Sequence, residues 1–433
     1  MKKRFGALLL LLLVLSTLTF FSCKGYDQKQ ARKERIAFWV DTISTKDIQS
    51  VAAQLEAWHF PLFHSNKLLL IEQKFETAYY KDLPDKETLA KETARIYLET
   101  YYDQTDIQSE EENTYAIITS YITAVGDKYG VYRSPVEYED YHEYLSGEYV
   151  GIGVSVQNDP ENKIIKITGV TPDGPAEEAG LLPGDIIYAV NDQLASDLGY
   201  DGVLSAARGE VGETVNITVL RDAKTLTFSI VRRALADKTV HYALDEESGI
   251  AYVRITQFKS TTAEQFFAVI DELEANPSTK AYIFDVRNNT GGYLYTVVDV
   301  LSYLTRAGAT IVTFSEKYSE PMYDTDDHAV EKPMIVLTNY YTVSAAELFT
   351  ASLRENKDCE IVGEKTYGKG VMQNTFRLSD GSSITLTISE YNSPSGINYD
   401  GIGIAPDHEV KNTEESDMQL AFATERLLEK INK

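Results

Sequence analysis

At 433 residues the chain is long enough for two or three domains. Its hydrophobic content of 43% and charged content of 25% are ordinary for globular proteins, so a sizeable core can form. The formal charge of −25 argues against a nucleic-acid partner, because binding to phosphates depends on basic patches.

The N-terminus is typical of a bacterial export signal. Basic residues are followed by a short apolar run, and the segment ends in Ser22-Cys23. This pair resembles a lipobox, in which the cysteine is acylated, although the two phenylalanines just upstream depart from that pattern. We expect a lipoprotein signal peptide over 1–22, lipidation of Cys23 and a polar tether over 23–36.

The same segment predicts the location of the protein. The lipid is expected to attach it to a membrane of the bacterial cell envelope, with its domains in the periplasm or otherwise outside the cytoplasmic membrane. Plain signal cleavage, or a retained anchor, is the alternative. Cys359 is the only other cysteine, so a lipidated chain is expected to fold without a disulfide.

Beyond the tether the hydrophobic patterns predict three regions. Residues 37–147 are helical, with a capping box from Ser109 to Glu112 ahead of apolar residues at helical spacing. Residues 148–235 contain short alternating runs such as YVGIGVSVQ and VNITVLRD, which predict a small β-rich module. Residues 236–433 alternate between strands and helices, so the chain is predicted to be a multidomain α/β protein.

One stretch resembles a phosphate-binding loop. GEKTYGKG (363–370) follows Gly-x-x-x-x-Gly-Lys-[Ser/Thr], except that Gly370 stands where the hydroxyl residue should be. A phosphate loop must also open a helix, whereas the next residues alternate like a hairpin that turns at Asp380-Gly381. We therefore reject nucleotide binding for Lys369.

Ser344 is the candidate nucleophile. It follows the apolar strand 334–337 and precedes a helix that begins near Ala345, whose free first-turn amides surround it. The alternative is a simple helix cap completed by Glu347, which is the commoner use of such a serine. No histidine lies in a catalytic motif; a serine–histidine site would have to use His328. Because no His-Glu-x-x-His motif or Cys/His cluster is present, we expect no metal.

A lysine can replace histidine as the base if it is neutral. Its ordinary pKa of about 10.4 must then fall, and burial can lower a lysine pKa by up to ~3–5 units. Glycines on either side of Lys369 let the backbone pack closely. In an extended chain Lys369, Val371 and Gln373 share one face. We expect Ser344 to attack, Lys369 to take its proton and Gln373 to orient Lys369.

Acyl transfer also needs donors for the oxyanion. The amide of Ala345, next to the serine, is one expected donor. The other is expected from the Asn-Thr-Gly-Gly turn at 289–292, where we assign Gly291 because glycine permits close backbone approach. A plain turn is the alternative for this segment.

Four segments together resemble the C-terminal processing, or tail-specific, peptidases. They are DVRNNTGGYL (285–294), SAAE (344–347), TYGKGVMQ (366–373) and DGIGIAPD (400–407). Their order and spacing agree with the family, including the 25 positions that separate Ser344 from Lys369. Thr290 stands where proline is common and Ala346 where a second serine is common. The resemblance covers about residues 110–410.

This resemblance implies a serine endopeptidase with a Ser-Lys dyad, a crotonase-like α/β core over 236–433 and no cofactor. It also implies that residues 148–235 are a PDZ domain that captures the C-terminal tails of protein substrates. The backbone amides of Gly151, Ile152, Gly153 and Val154 are the expected site for the tail carboxylate. The competing interpretation is a non-catalytic PDZ scaffold with a degenerate peptidase domain.

Overall fold

The computed structural model describes residues 28–43, 47–57, 62–101, 109–159, 164–315, 320–324 and 327–432. The expected signal peptide, Cys23 and the start of the expected tether lie outside these residues. The described chain forms two compact units. The first contains residues up to 138 together with 371–390, and the second contains residues 139–370 together with 391–433.

The helices in the described residues are α1 (Gln28–Thr42), α2 (Ile48–Ala57), α3 (Ser65–Ala78), α4 (Lys86–Tyr101), α5 (Glu110–Val125), α6 (Pro135–Ser146), α7 (Pro175–Ala179), α8 (Ala195–Ala207), α9 (Thr262–Ala275), α10 (Leu294–Ser302), α11 (Ala345–Lys357) and α12 (Met418–Ile431).

The strands are β1 (Val131–Arg133), β2 (Glu148–Gly151), β3 (Val154–Asp159), β4 (Ile164–Val170), β5 (Ile186–Val190), β6 (Gln193–Leu194), β7 (Thr214–Arg221), β8 (Lys224–Val231), β9 (Arg233–Ala236), β10 (Val240–Asp245), β11 (Ile250–Ile255), β12 (Ala281–Asp285), β13 (Thr310–Phe314), β14 (Met322–Tyr323), β15 (Met334–Thr338), β16 (Glu360–Gly363), β17 (Val371–Arg377), β18 (Ser383–Asn392) and β19 (His408–Glu409).

The first unit is built on helices α1 to α5, as the helical pattern predicts. The expected capping box is present, since the Glu112 amide donates to Ser109 Oγ (3.1 Å) and the Ser109 amide donates to the Glu112 carboxylate (3.0 Å). Helix α1 already begins at Gln28, so the expected tether is helical from that residue onward. Fully buried side chains form the core: Leu55, Leu68, Phe75, Tyr97, Tyr121, Ile384 and Leu386.

The predicted hairpin after Gly370 belongs to this first unit. Strands β17 and β18 pair antiparallel, and β1 pairs on the other side of β18. Because a strand follows Gly370, the segment lacks the helix that a phosphate loop requires. The rejection of nucleotide binding is consistent with this geometry.

The second unit contains the predicted β-rich module. An antiparallel sheet runs in the order β3-β4-β5-β7-β8, with β6 beside β5 and with β3 at one edge. Strand β2 pairs antiparallel with β9, so the chain enters and leaves the module side by side. Buried side chains from the sheet and α8 fill the core: Ile167, Val190, Val203, Val215 and Ile217.

The remainder of the second unit is a layered α/β region. Its sheet runs β10-β11-β12-β15-β16-β19, antiparallel at β10 and parallel elsewhere. Strands β12 and β15 are buried at every position, which is typical of a sheet covered on both faces. Ala423 and Leu427 of α12 cover one face. Helices α9 and α11 cover the other face through aromatic contacts that Phe266 and Phe349 make with Phe284.

The parallel strands place two turns together. Strand β12 leads into the Gly-rich turn, and β15 leads through Ser344 into α11. Parallel strands end at the same edge of a sheet, where their connections gather. Here the Val343 amide donates to the Asn289 carbonyl (3.0 Å), and Thr342 Oγ1 donates to the Val286 carbonyl (2.9 Å).

We predict that Glu360 stabilises the second unit in a pH-dependent way. Its carboxylate accepts hydrogen bonds from Arg426 and Lys430 of α12 and lies 3.0 Å from His408 Nε2. The Arg426 guanidinium, with help from Lys430 and His408, lowers the pKa of Glu360 to about 2. A lowered pKa in the folded state stabilises the fold above the ordinary pKa of about 4.3, and the effect disappears as the pH falls towards 2.

Glu360→Gln should therefore lower the apparent free energy of unfolding by roughly 1–2 kcal/mol at pH 7, a value reduced because the pair is partly solvated. Urea titrations of the full chain at pH 7 and pH 3 measure this difference. It should shrink by half or more at pH 3, and a difference of equal size at both pH values would contradict the assignment.

Candidate active site

Ser344 has an unusual backbone conformation. Its φ is 60° and its ψ is −120°, a combination that L-residues rarely adopt and that costs conformational energy. The next residue, Ala345, begins α11, so the serine stands at the N-terminal end of that helix. Its side chain is half-buried. Such strain is typical of functional sites, where the surrounding structure holds the residue in place.

The Gly-rich turn packs directly against the serine. A Cβ placed on Gly291 would lie 2.9 Å from Ser344 Cβ and 3.0 Å from the Ala345 nitrogen, and the φ of Gly291 is +99°. A Cβ on Gly292 would lie 2.1 Å from the Phe258 carbonyl oxygen. Only glycine fits at these two positions, so the turn predicted to approach the nucleophile does approach it.

The Gly291 amide, one of the two expected oxyanion donors, already has a partner in the structure. The Gly291 amide donates to Asn289 Oδ1 (2.9 Å), because the asparagine side chain folds back onto its own turn. This amide is therefore already occupied. Within the described residues, the amides of Gly292 and Ala345 donate no hydrogen bond, so the unoccupied amide of the turn is one residue later than the sequence suggested.

A buried carboxylate joins the serine to the lysine segment. Glu347 is 0% exposed, and its Oε2 accepts from the amides of Ser344 (2.9 Å) and Lys369 (2.8 Å). Its Oε1 accepts from Thr366 Oγ1 (2.6 Å) and the Gly368 amide (2.7 Å). The residue that sequence reasoning treated as a helix cap is thus also the anchor of the loop that carries Lys369.

Burial raises the pKa of Glu347, and the four hydrogen bonds oppose that shift. All four partners are donors, so they match an ionised carboxylate, which only accepts. The sequence contained a signal for this role: Glu347 lies three residues after the serine, and glycines flank Lys369.

Tyr391 makes a second connection between the two residues. Its hydroxyl lies 3.2 Å from Ser344 Oγ and 3.1 Å from the Lys369 carbonyl oxygen, and donates towards both. The side chain is 3% exposed, and its ring packs edge-on against Tyr399 with centroids 6.0 Å apart. Sequence reasoning missed this residue because one tyrosine in a long strand of mixed polar and apolar residues has no distinguishing pattern.

Gln373 lies in the first unit, whereas Ser344 and Lys369 lie in the second. Its side-chain amide donates to the Val371 carbonyl (3.2 Å) and to Thr387 Oγ1 (3.4 Å). The assignment of Gln373 as the residue that orients Lys369 stays a prediction.

The expected carboxylate-binding loop joins β2 to β3. The carbonyl of Ile152 accepts from the Ala176 amide (2.8 Å), and that of Gly153 accepts from the Thr171 amide (2.9 Å). In a trans peptide the N–H points opposite to the preceding C=O. The amides of Gly153 and Val154 therefore point away from these partners, beside the β3 edge, as a peptide-binding loop requires.

His328 packs against Tyr303. The Nδ1 of His328 lies 2.7 Å from the Tyr303 carbonyl oxygen, and the two rings stack at 3.9 Å. Among the described residues, no three His, Cys, Asp or Glu side chains cluster as metal ligands. In the same residues, no helix combines the length and apolar character needed to cross a bilayer.

Comparison with known proteins gives the family. The model for peptidase family S41 matches residues 249–410, and the model for the PDZ domain matches residues 149–231. The chain is 28% identical to the carboxyl-terminal-processing protease of Synechocystis sp. over 306 residues, which cover 69% of this chain and 71% of that protein.

A probable CtpA-like serine protease of Staphylococcus epidermidis is 28% identical over 378 residues, covering 85% of this chain and 76% of that protein. The chain belongs to peptidase family S41. The resemblance to the C-terminal processing peptidases is thereby confirmed, and the protein is a serine-type peptidase with a PDZ domain. A solved structure of the photosystem II D1 C-terminal processing protease is 24% identical, covers 83% of this chain and 96% of that chain, and gives a TM-score of 0.47.

We predict that Glu347→Gln impairs this S41 peptidase severely. The new amide nitrogen would face N–H or O–H donors, so at least one pair of donors would be left opposed inside a buried site. We expect kcat/KM for a peptide substrate to fall by more than about tenfold, since a small displacement of catalytic groups has effects of this size or larger.

Glu355→Gln is the matched control. Glu355 is exposed on the same helix α11, where its carboxylate accepts from the Ser395 amide (2.7 Å). This variant should keep the parent activity. Equal activity in the Glu347→Gln variant would contradict the anchoring role of Glu347.

Proposed function

We propose that the protein is an endopeptidase that uses Ser344 as nucleophile and Lys369 as general base. The observation that carries the proposal is the Glu347 carboxylate, which holds the backbones of both residues in one site. Ser344 Oγ would attack the scissile carbonyl while its proton passes to Lys369 Nζ. The lysine would then return that proton to the leaving amine, and water would release the acyl group.

The oxyanion of the intermediate would accept hydrogen bonds from the amides of Ala345 and Gly292. Two observations support this choice: both amides are unoccupied within the described chain, and the turn containing Gly292 contacts Ala345 through Gly291. We retain Gln373 as the residue that orients Lys369, four positions away in sequence.

We propose further that the PDZ domain binds the free C-terminus of a protein substrate and delivers the adjoining segment to Ser344. The outward amides of Gly153 and Val154 and the open edge of β3 support such capture. The names of the related processing proteases agree with a substrate cut near its C-terminus.

The export and lipid attachment of the protein are also proposals, and they rest on the N-terminal sequence. Cys23 would carry the lipid, and the domains would lie in the periplasm or otherwise outside the cytoplasmic membrane. Cys23→Ala should abolish lipid labelling in cells, and unchanged labelling would contradict the anchor. A crotonase-like architecture for the peptidase core is proposed as well, supported by its mainly parallel sheet with a helix after β11, β12 and β15.

We predict that purified protein cleaves a peptide with an apolar C-terminus without added metal or ATP. Ser344→Ala and Lys369→Ala should each lower kcat by at least ~10³-fold, because each removes a group that takes part in the chemical step. His328→Ala should retain activity, since its ring contacts Tyr303. Appearance of a new C-terminus in the products, measured by mass spectrometry, gives the rates.

Two results would contradict this assignment. Full turnover by the Lys369→Ala variant together with loss in the His328→Ala variant would favour a serine–histidine site. No turnover by the parent protein, with tail binding intact, would favour the PDZ scaffold.

We predict that the tail carboxylate controls binding. The Ser344→Ala variant of the full chain is used because it cannot consume the peptide. It should bind a peptide with a free C-terminus at least ~10 times more tightly than the same peptide with a C-terminal carboxamide, because the carboxamide is not a charged acceptor. Fluorescence anisotropy measures both affinities. Equal affinities would exclude carboxylate capture by residues 151–154.

A further inference from the structure

The Tyr391 hydroxyl occupies a position that the Ser-Lys mechanism does not explain. It has one proton, yet two oxygen acceptors lie within hydrogen-bond distance: Ser344 Oγ at 3.2 Å and the Lys369 carbonyl at 3.1 Å. A tyrosine needed only to satisfy the carbonyl would have no reason to touch the nucleophilic oxygen. The second contact puts Tyr391 against an atom that reacts.

The surroundings hold this hydroxyl in place. The Tyr391 amide donates to the Gly370 carbonyl (3.0 Å), and the residue pairs with Phe314 of β13. Its ring is buried against Tyr399. A side chain fixed in this way loses little entropy when its hydroxyl changes partner, because only the O–H bond has to rotate.

The hydroxyl also keeps its proton. Burial raises the pKa of Tyr391; the hydrogen bond with Ser344 opposes that shift, and the nearby Glu347 carboxylate adds to it. At neutral pH the group is therefore a donor and does not compete with Lys369 as a base.

We propose that Tyr391 is a further catalytic residue that donates a hydrogen bond to Ser344 Oγ when negative charge develops on that oxygen. This inference rests on the proposed function of Ser344 and Lys369. Before reaction the proton is shared between two neutral acceptors. As the Oγ–H proton moves to Lys369 Nζ, Oγ gains charge and becomes a better acceptor than a neutral carbonyl, so Tyr391 turns towards it.

The same contact serves both halves of the reaction. In acylation the bond from Oγ to the carbonyl carbon forms while Lys369 takes the serine proton. In deacylation Lys369 takes a proton from the water that attacks the acyl carbon, the bond from that carbon to Oγ breaks, and Oγ recovers the proton from the lysine. The Tyr391 O–H bond stays intact throughout, so the tyrosine stabilises charge without transferring a proton. An interaction that is strongest in the transition state raises kcat and leaves KM little changed.

The test is Tyr391→Phe in the full chain, which keeps the ring and removes the hydroxyl. We expect kcat to fall roughly 10–100-fold with KM unchanged, the range for loss of a hydrogen bond to a charged group. Inactivation of Ser344 by an organophosphonate should slow by a similar factor. The midpoint of the pH–rate profile should stay in place while its plateau drops, whereas a displaced Lys369 would move the midpoint.

Tyr282→Phe is the matched control. Tyr282 is a fully buried tyrosine of the same unit, and its hydroxyl donates to the part-buried carboxylate of Glu274. This variant should retain the parent kcat. If it loses as much activity as Tyr391→Phe, the loss reflects packing and the inference is overturned.

A second measurement does not depend on turnover. In a Ser344→Cys background, Tyr391→Phe should raise the pKa of the introduced thiol by about one unit, because the thiolate loses a donor. The pH dependence of the alkylation rate reports this pKa, after the alkylation rate of the parent with Ser344 has been subtracted. Either of two results overturns this inference and leaves the proposed function standing. One is an unchanged thiol pKa; the other is a kcat of Tyr391→Phe within about twofold of the parent while Ser344→Ala is inactive. Activity that survives Ser344→Ala would instead overturn the proposed function.

Discussion

A carboxylate without solvent exposure normally carries a large free-energy cost. Glu347 offsets that cost by accepting four hydrogen bonds from two segments of the chain. One segment contains Ser344 and the other runs from Thr366 to Lys369. The carboxylate bonds to the backbone amides of Ser344 and Lys369, so it fixes these two residues through their main chains. The geometry of the candidate site follows from this one interaction.

The other contacts reinforce the same arrangement. The strained φ of Ser344 persists because its neighbours hold it on both sides: the Val343 amide bonds to Asn289, and the Ser344 amide bonds to Glu347. Gly291 lets the oxyanion turn press against the serine, where any Cβ would collide. The missing side chain of Gly291 thus allows the turn to pack against Ser344 and the Ala345 nitrogen.

Much of the fold was predictable because it depends on local patterns. The apolar run 334–337 predicts a strand, and the structure has it as β15, buried at every position in a covered sheet. The capping box at Ser109 and the hairpin at Asp380 are short-range signals that the structure confirms. The turn at 289–292 was only partly predictable. Its location followed from the glycines, but the side chain of Asn289 decided which amide is free.

The sequence by itself determined which residues are available: a serine before a helix, a lysine between glycines, and four motifs in the order typical of family S41. It could not show which distant residues meet, because hydrophobic period and capping signals report only on neighbours along the chain. Only the tertiary structure decided that Glu347 bonds to both the serine and the lysine segments, and that Tyr391 touches Ser344 Oγ. Both contacts join positions about 20 to 50 residues apart in a buried network. Leaving a buried polar group unpaired costs free energy, so each group in the network is held to its hydrogen-bond partner.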